Sequence, residues 1–262
     1  MRRVIDESGC KEVGPLSEEE SSLDNRRSNF ILRRKLRVLA GRRRLGMAWL
    51  VLDPIVIALV YLFVFTVVRS RPSLESILIG IGLFRIFQAS VKSGTNSIKD
   101  FSGGLTSERV RTRVLVSSMI KYRILDNSLQ SSGIALILLV WFDVPITGVL
   151  VFLMAAQALG ILGEGFGLNL STAVRKLPDL SNLVNHFLLF MFFASPVLYP
   201  MEKMEGLHYK ANEYNPFAFF AEGTRHYTDN PSVFLDLSPE VGTMILLTLL
   251  ILTFRGISSL DR

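Results

Sequence analysis

The chain has 262 residues, of which 49% are hydrophobic, with a mean hydropathy of +0.38 and a formal charge of +6. The apolar residues are gathered into long blocks, which excludes an ordinary soluble fold and points to a polytopic membrane protein. A single cysteine, Cys10, excludes an internal disulfide and a cysteine metal cluster. On a membrane chain a basic balance reflects flanks lying beside anionic lipid, so membrane lipids and no nucleic acid are expected as partners.

Residues 1–25 form a polar stretch with seven acids against three bases in the first 24 positions. They lack the apolar block of a cleaved signal peptide and are expected to be a disordered tail. Residues 26–47 follow as a basic segment, with nine Arg or Lys and no acid from Arg26 to Arg44. Leu32, Leu36 and Leu39 recur at helical spacing, which predicts an amphipathic interface helix. Arg33, Arg34, Lys35 and Arg37 would lie among lipid head groups, with the leucines dipping into the acyl boundary. The alternative is a plain positively charged flank; both place the segment in the cytoplasm.

From residue 48 to 262 the chain reads as one membrane domain. A span needs about 20 mostly apolar residues. Six are predicted, at about 48–68, 74–94, 123–142, 146–170, 180–200 and 240–256. Lys and Arg concentrate in alternate connections: seven in 92–123, two in 171–179 (Arg175, Lys176) and two at the C-terminal end (Arg255, Arg262). Both termini therefore come out cytoplasmic, as an even number of spans requires. The connection at 201–238 holds Phe217, Phe219, Phe220, Tyr214 and Pro216. It is too aromatic for a free loop, so either it re-enters the outer membrane face as short helices or it forms a small external cap. The expected fold is all-α integral membrane: six transmembrane helices, an N-terminal interface helix, and a re-entrant external segment between the fifth and sixth spans.

The search for chemistry excludes more than it finds. No Gly-Lys pair occurs, so the phosphate-binding loop of an ATPase is missing. The histidines His186, His208 and His226 lack metal-ligand spacing, and no nucleophile grouping is suggested. No catalytic residue, metal or cofactor is expected on this chain. Polar groups within spans are costly in hydrocarbon, which singles out Asp53, Arg85, Glu164 and His186. Asp53 lies near the start of its span, where head groups or the basic helix can serve it. Glu164 lies among Gly160, Gly163, Gly165 and Gly167. The small-xxx-small spacing of Gly163 and Gly167 allows close helix approach, leaving Glu164 either to pair with Arg85 or to handle substrate. In the 92–123 connection, Gly103 and Gly104 break the incoming helix. Thr106 or Ser107 can then cap a short lateral helix at about 104–113. Leu105, Thr106, Ser107, Glu108, Arg109 and Arg111 would present it to a cytoplasmic partner, the alternative being a polar turn.

In this order the features resemble the membrane subunits of ABC-type exporters of polysaccharide, O-antigen or teichoic acid. The resemblance rests on the basic helix with Leu45, Gly46, Trp49 and Pro54, on GTNSIKDFSGGLTSERV, on Arg175 and Asp179 with Ser195, Pro196, Tyr199 and Pro200, and on the Asn215-Pro216 pair. It implies a homodimeric permease for a lipid-linked glycan in the cytoplasmic membrane. It also implies separate ATP-binding cassette subunits that bring ATP and Mg, and a lateral helix that couples to them. The first and fifth spans would help line a channel. Trp49, Tyr61, Phe65, Glu164, Phe187, Ser195 and Tyr199 are the candidate channel residues, although aromatics also serve as lipid anchors and packing groups. A permease for a drug or a simple lipid would share this topology. Arg85, where relatives usually carry an aromatic residue, and the missing proline around Val110 to Leu115 depart from the pattern.

Overall fold

The computed structural model describes residues 2–6, 9–13, 18–41, 48–68, 73–102 and 112–228, with separate positions between 232 and 255. Strands β1 (Arg2–Asp6) and β2 (Gly9–Val13) pair antiparallel, with Val4 opposite Lys11. Helices α1 (Glu18–Gly41), α2 (Ala48–Val68), α3 (Leu74–Ser102), α4 (Thr112–Trp141), α5 (Ile146–Lys176) and α6 (Leu180–Ala194) follow. A single 3-10 turn at Met201–Lys203 leads into α7 (Gly206–Glu213) and α8 (Pro216–His226). Among the described residues, three helices are long and apolar enough to cross a membrane: Leu74–Ser97, Val114–Trp141 and Ile146–Lys176.

The N-terminal residues differ from the tail expected for 1–25, since they hold the hairpin and the first turns of α1. Glu18, Glu19 and Glu20 occupy the first turn of α1, where carboxylates complement the helix dipole. Asp24 and Ser28 are buried, and the Ser28 hydroxyl donates to Ser117 of α4 at 3.2 Å. Lys121 of α4 donates to Asn25 and, at 2.8 Å, to Asn29. The polarity that reads as solvation in the sequence is thus spent on α4. Leu32 joins Ile31, Ser93, Ser97, Ser118 and Met119 around a cleft of about 50 Å³, so this part of the leucine stripe faces protein.

Helices α3 and α5 form the centre of the bundle. Their backbones touch because Gly94, Gly163 and Gly167 carry no side chain there. A Cβ on Gly94 would lie 2.3 Å from the Glu164 carbonyl oxygen, and one on Gly167 2.3 Å from that of Val91. The small-residue spacing read from the sequence therefore finds its partner helix in α3. Around this contact lies an apolar core that includes Leu78, Ile81, Phe84, Ile134, Phe152 and Leu159. The Phe84 ring meets Phe192 of α6 and Phe217 of α8 edge to face, each at 5.3 Å, which ties three helices to one side chain.

At the α3 N-terminal end, α8 is fixed by a fully buried ion pair. Arg225 donates to Glu222 at 2.7 Å, to the Pro196 carbonyl at 2.8 Å, to Ser76 at 3.1 Å and to Val197 at 3.2 Å. Glu222 also accepts the Met201 amide at 3.0 Å. One guanidinium thus satisfies carbonyls from α3 and from the chain leaving α6. Gly80 admits that chain, because a Cβ there would meet the Val197 oxygen at 2.0 Å. Asn215 caps α8 by accepting the Phe217 amide at 3.0 Å, and its own amide donates to Ser195 at 2.9 Å.

Several helix limits differ from the predicted spans. The fifth, expected over 180–200, stops at Ala194, because Pro196 disfavours helical backbone at Ser195, which is extended at φ −91° and ψ 163°. Helix α4 begins at Thr112, with Val114, Ser118 and Met119 buried, and α5 runs on to Lys176, with Ser171 and Val174 buried and Arg175 and Lys176 exposed. The helical positions described between 240 and 255 place Gly242 against the Phe219 ring and Thr253 against Gly165.

Candidate functional site

Two groups of polar side chains sit at membrane depth, one closed and one open. In the closed group, Arg123 of α4 donates to Glu164 of α5 at 2.7 Å and to Asp126 at 2.8 Å. Ser93 of α3 donates to the second Glu164 oxygen at 3.2 Å. All three charged groups are almost wholly buried. Burying a charge in low dielectric is tolerable only with such pairing, so this network joins α3, α4 and α5. Sequence reading missed Arg123 because it was counted as a charge of the 92–123 connection, and passed over Asp126 inside the predicted third span. Their i, i+3 spacing inside a helix was the available signal.

The open group lies on α3. Arg85, Gln88, Lys92 and Asn96 recur at i, i+3, i+7 and i+11 and so share one face. All four are partly exposed, whereas Ile86, Ser90, Val91, Gly94 and Thr95 between them are buried. The face is flanked on one side by α2, where Arg85 pairs with Asp53 at 3.2 Å. On the other side lies α6, where Ser181 donates to Asn96 at 3.3 Å. Helix α6 buries only Val184, Leu188 and Phe192, a single i, i+4, i+8 stripe. Asn182, Asn185, His186, Phe187 and Phe190 of the same helix are exposed. Helix α2 likewise exposes Trp49, Val56, Leu59, Val60 and Phe63. Polar side chains on an open helix face avoid hydrocarbon and suit a water-filled path or a partner surface. Among the described residues no group of His, Cys, Asp or Glu has the arrangement to hold a metal ion.

Residues 28–227 match the family described as ABC-2 type transporter. The chain belongs to the ABC-2 transporter membrane family. Over 183 residues, 67% of this chain and 68% of the relative, it is 28% identical to the O-antigen export system permease protein RfbA of Myxococcus xanthus. This ABC-2 protein is therefore a multi-pass permease component without an ATPase domain. ABC-2 permeases pair with an ATP-binding subunit that handles the nucleotide.

In this permease the residues singled out by sequence fall in different places. Trp49 lies in the first turn of α2 and Phe187 on the bare side of α6, both exposed. Tyr61 and Phe65 belong to α2, and their side chains lie outside the described residues. Glu164 is behind α3, held by Arg123. Of the two fates left open for it, pairing is observed, with Arg123 and not with Arg85, whose partner is Asp53. Ser195 is buried where α6 ends, and the Tyr199 hydroxyl donates to the Phe193 carbonyl at 3.2 Å. Arg33, Arg34 and Arg37 are exposed on α1, and the Lys35 ammonium lies 3.9 Å from the centre of the Tyr122 ring. Leu105, Thr106, Ser107, Glu108, Arg109 and Arg111 lie outside the described residues. Lys92, which with Gln88 completes the open face, was read only as one of the basic residues of the 92–123 connection.

Proposed function

We propose that this permease moves a lipid-linked polysaccharide or related glycan outward across the cytoplasmic membrane. It works as a homodimer of six-span subunits with both termini in the cytoplasm. Two ATP-binding cassette subunits bind ATP and Mg and drive the cycle. Their closure presses on a lateral helix near residues 104–113, and the spans shift as fairly rigid bodies to expose the path alternately to each side. Helices α7 and α8 belong to a segment that re-enters the outer face, and α1 lies along the cytoplasmic interface.

The observation that carries this reading is the open polar face of α3, flanked by α2 and α6, two helices that expose aromatic rings. Hydroxyl-rich cargo needs hydrogen-bonding partners and flat apolar surfaces on which sugar faces can stack. The similarity to an O-antigen export permease agrees with such cargo.

Deleting the gene in its native host tests the proposal. The expected result is loss of one cell-surface glycan with its lipid-linked precursor accumulating inside. An unchanged surface glycan together with altered drug tolerance would instead point to an ABC-2 permease for a drug or a simple lipid.

A further inference from the structure

The open face of α3 is cationic as well as polar. Among the described residues the Lys92 ammonium has no hydrogen bond or ion pair, and it shares the partly exposed face of α3 with Arg85. They are two turns apart, about 10 Å along the axis, within convergent reach of two long side chains. The neighbouring helices supply little counter-charge. Helix α2 carries one acid, Asp53, which is itself largely exposed and touches Arg85 through one nitrogen at 3.2 Å. Helix α6 carries no acid from Leu180 to Ala194, and Asp179 at its N-cap is exposed. Glu164 and Asp126 are already engaged by Arg123. Among the described residues, Asp53 is thus the one carboxylate paired with these two cations, and cations within a membrane-spanning helix require a partner.

We propose that Arg85 and Lys92, with Gln88 and Asn96 beside them, form a subsite for a phosphate or diphosphate, the anionic group that joins a carrier lipid to its glycan. Guanidinium and ammonium groups bind phosphate oxygens by charge-assisted hydrogen bonds. Asp53 is the counter-ion that Arg85 gives up as the anion arrives. Gln88, whose oxygen accepts from Arg85 at 3.5 Å, has its amide nitrogen to donate, and the Asn96 amide, which gives one hydrogen to the Lys92 carbonyl at 2.9 Å, keeps a second. The subsite rests on the cargo reading proposed above and names the group by which that cargo is held.

The test uses the permease purified with its ATP-binding subunit in phosphatidylcholine nanodiscs. Equilibrium dialysis measures radiolabelled farnesyl diphosphate, with farnesol and inorganic pyrophosphate as competitors. Farnesyl diphosphate is expected to bind. Lys92→Gln weakens it about tenfold or more, as loss of a charge-assisted hydrogen bond implies. Lys92→Arg retains binding, and Lys210→Gln on the exposed surface of α7 leaves it unchanged. Lys92→Gln breaks no ion pair among the described residues, so it keeps the test sound where Arg85→Gln disturbs packing.

Equal affinity of Lys92→Gln and the parent overturns the subsite, as does competition by farnesol equal to that of farnesyl diphosphate. Inorganic pyrophosphate competing as well as the lipid overturns the assignment to a lipid head group in favour of a free anion. The two proposals fail separately. If deletion stops glycan export while Lys92→Gln binds normally, the subsite alone is wrong. If deletion leaves surface glycan intact while Lys92→Gln loses binding, the cargo alone is wrong.

Discussion

Arg123 and Glu164 meet at 2.7 Å between α4 and α5, both almost wholly buried and 41 positions apart in the chain. With Asp126 and Ser93 they make a closed polar joint inside a bundle otherwise held by apolar packing and glycine contacts. Such a joint resists the removal of either partner more than it adds net stability, because the charge left behind has no water to receive it.

Glu164→Ala is therefore expected to lower stability by about 3–5 kcal/mol. The thermal unfolding midpoint of the detergent-solubilised protein measures the loss. Adding Arg123→Ala to Glu164→Ala should cost less than the sum of the single changes, and strict additivity would deny the coupling.

By contrast, the Asp53–Arg85 pair is half open to its surroundings. Asp53→Asn is expected to change stability by less than about 1 kcal/mol, the range of exposed ion pairs. If Arg85 serves an anion, the same change strengthens farnesyl diphosphate binding, which dialysis of the nanodisc complex checks. Weaker binding would show that Asp53 orients Arg85 instead of competing for it.

How far the sequence could be read follows from where each partner lies. The long apolar blocks and the glycine spacing at Gly163 and Gly167 act locally, and hydropathy and spacing alone locate them, whereas the predicted fifth span ran through the break that Pro196 makes. The Arg123–Glu164 joint and the carbonyls gathered by Arg225 come from elements far apart in sequence, so no local pattern announces them. Hydropathy also treats Lys121, Arg123 and the serines near them as loop, because it counts polarity without knowing that α1 and α5 cover it. For the open site, Arg85 was visible as an oddity. Its relation to Lys92 needed knowledge of which face of α3 stays uncovered.

Gly167→Ala is expected to be more damaging than its size suggests, since a Cβ would lie 2.3 Å from the Val91 carbonyl oxygen and push α3 from α5. Overpacking of this kind costs typically about 1–3 kcal/mol. Unfolding of the purified variant in detergent measures it, and a midpoint equal to the parent's would contradict the α3–α5 contact.

The seat of α1 on α4 can be tested by cross-linking. The hydroxyls of Ser28 and Ser117 are 3.2 Å apart, so cysteines at both sites, in a Cys10→Ser background, are expected to form a disulfide under mild oxidation. Gel mobility after cleavage between the two helices reads the bond. Two separable fragments under oxidising conditions would mean that α1 does not rest there.

The central claim, outward movement of a lipid-linked glycan powered by a partner ATPase, is tested most directly in inside-out vesicles. Vesicles holding this permease and its ATP-binding subunit, loaded with the lipid-linked precursor isolated from a deletion strain, are given ATP. Glycan reaching the vesicle interior, protected from added glycosidase, is then measured. Protection that requires ATP and both subunits is the predicted result; equal protection in vesicles lacking this chain would contradict it.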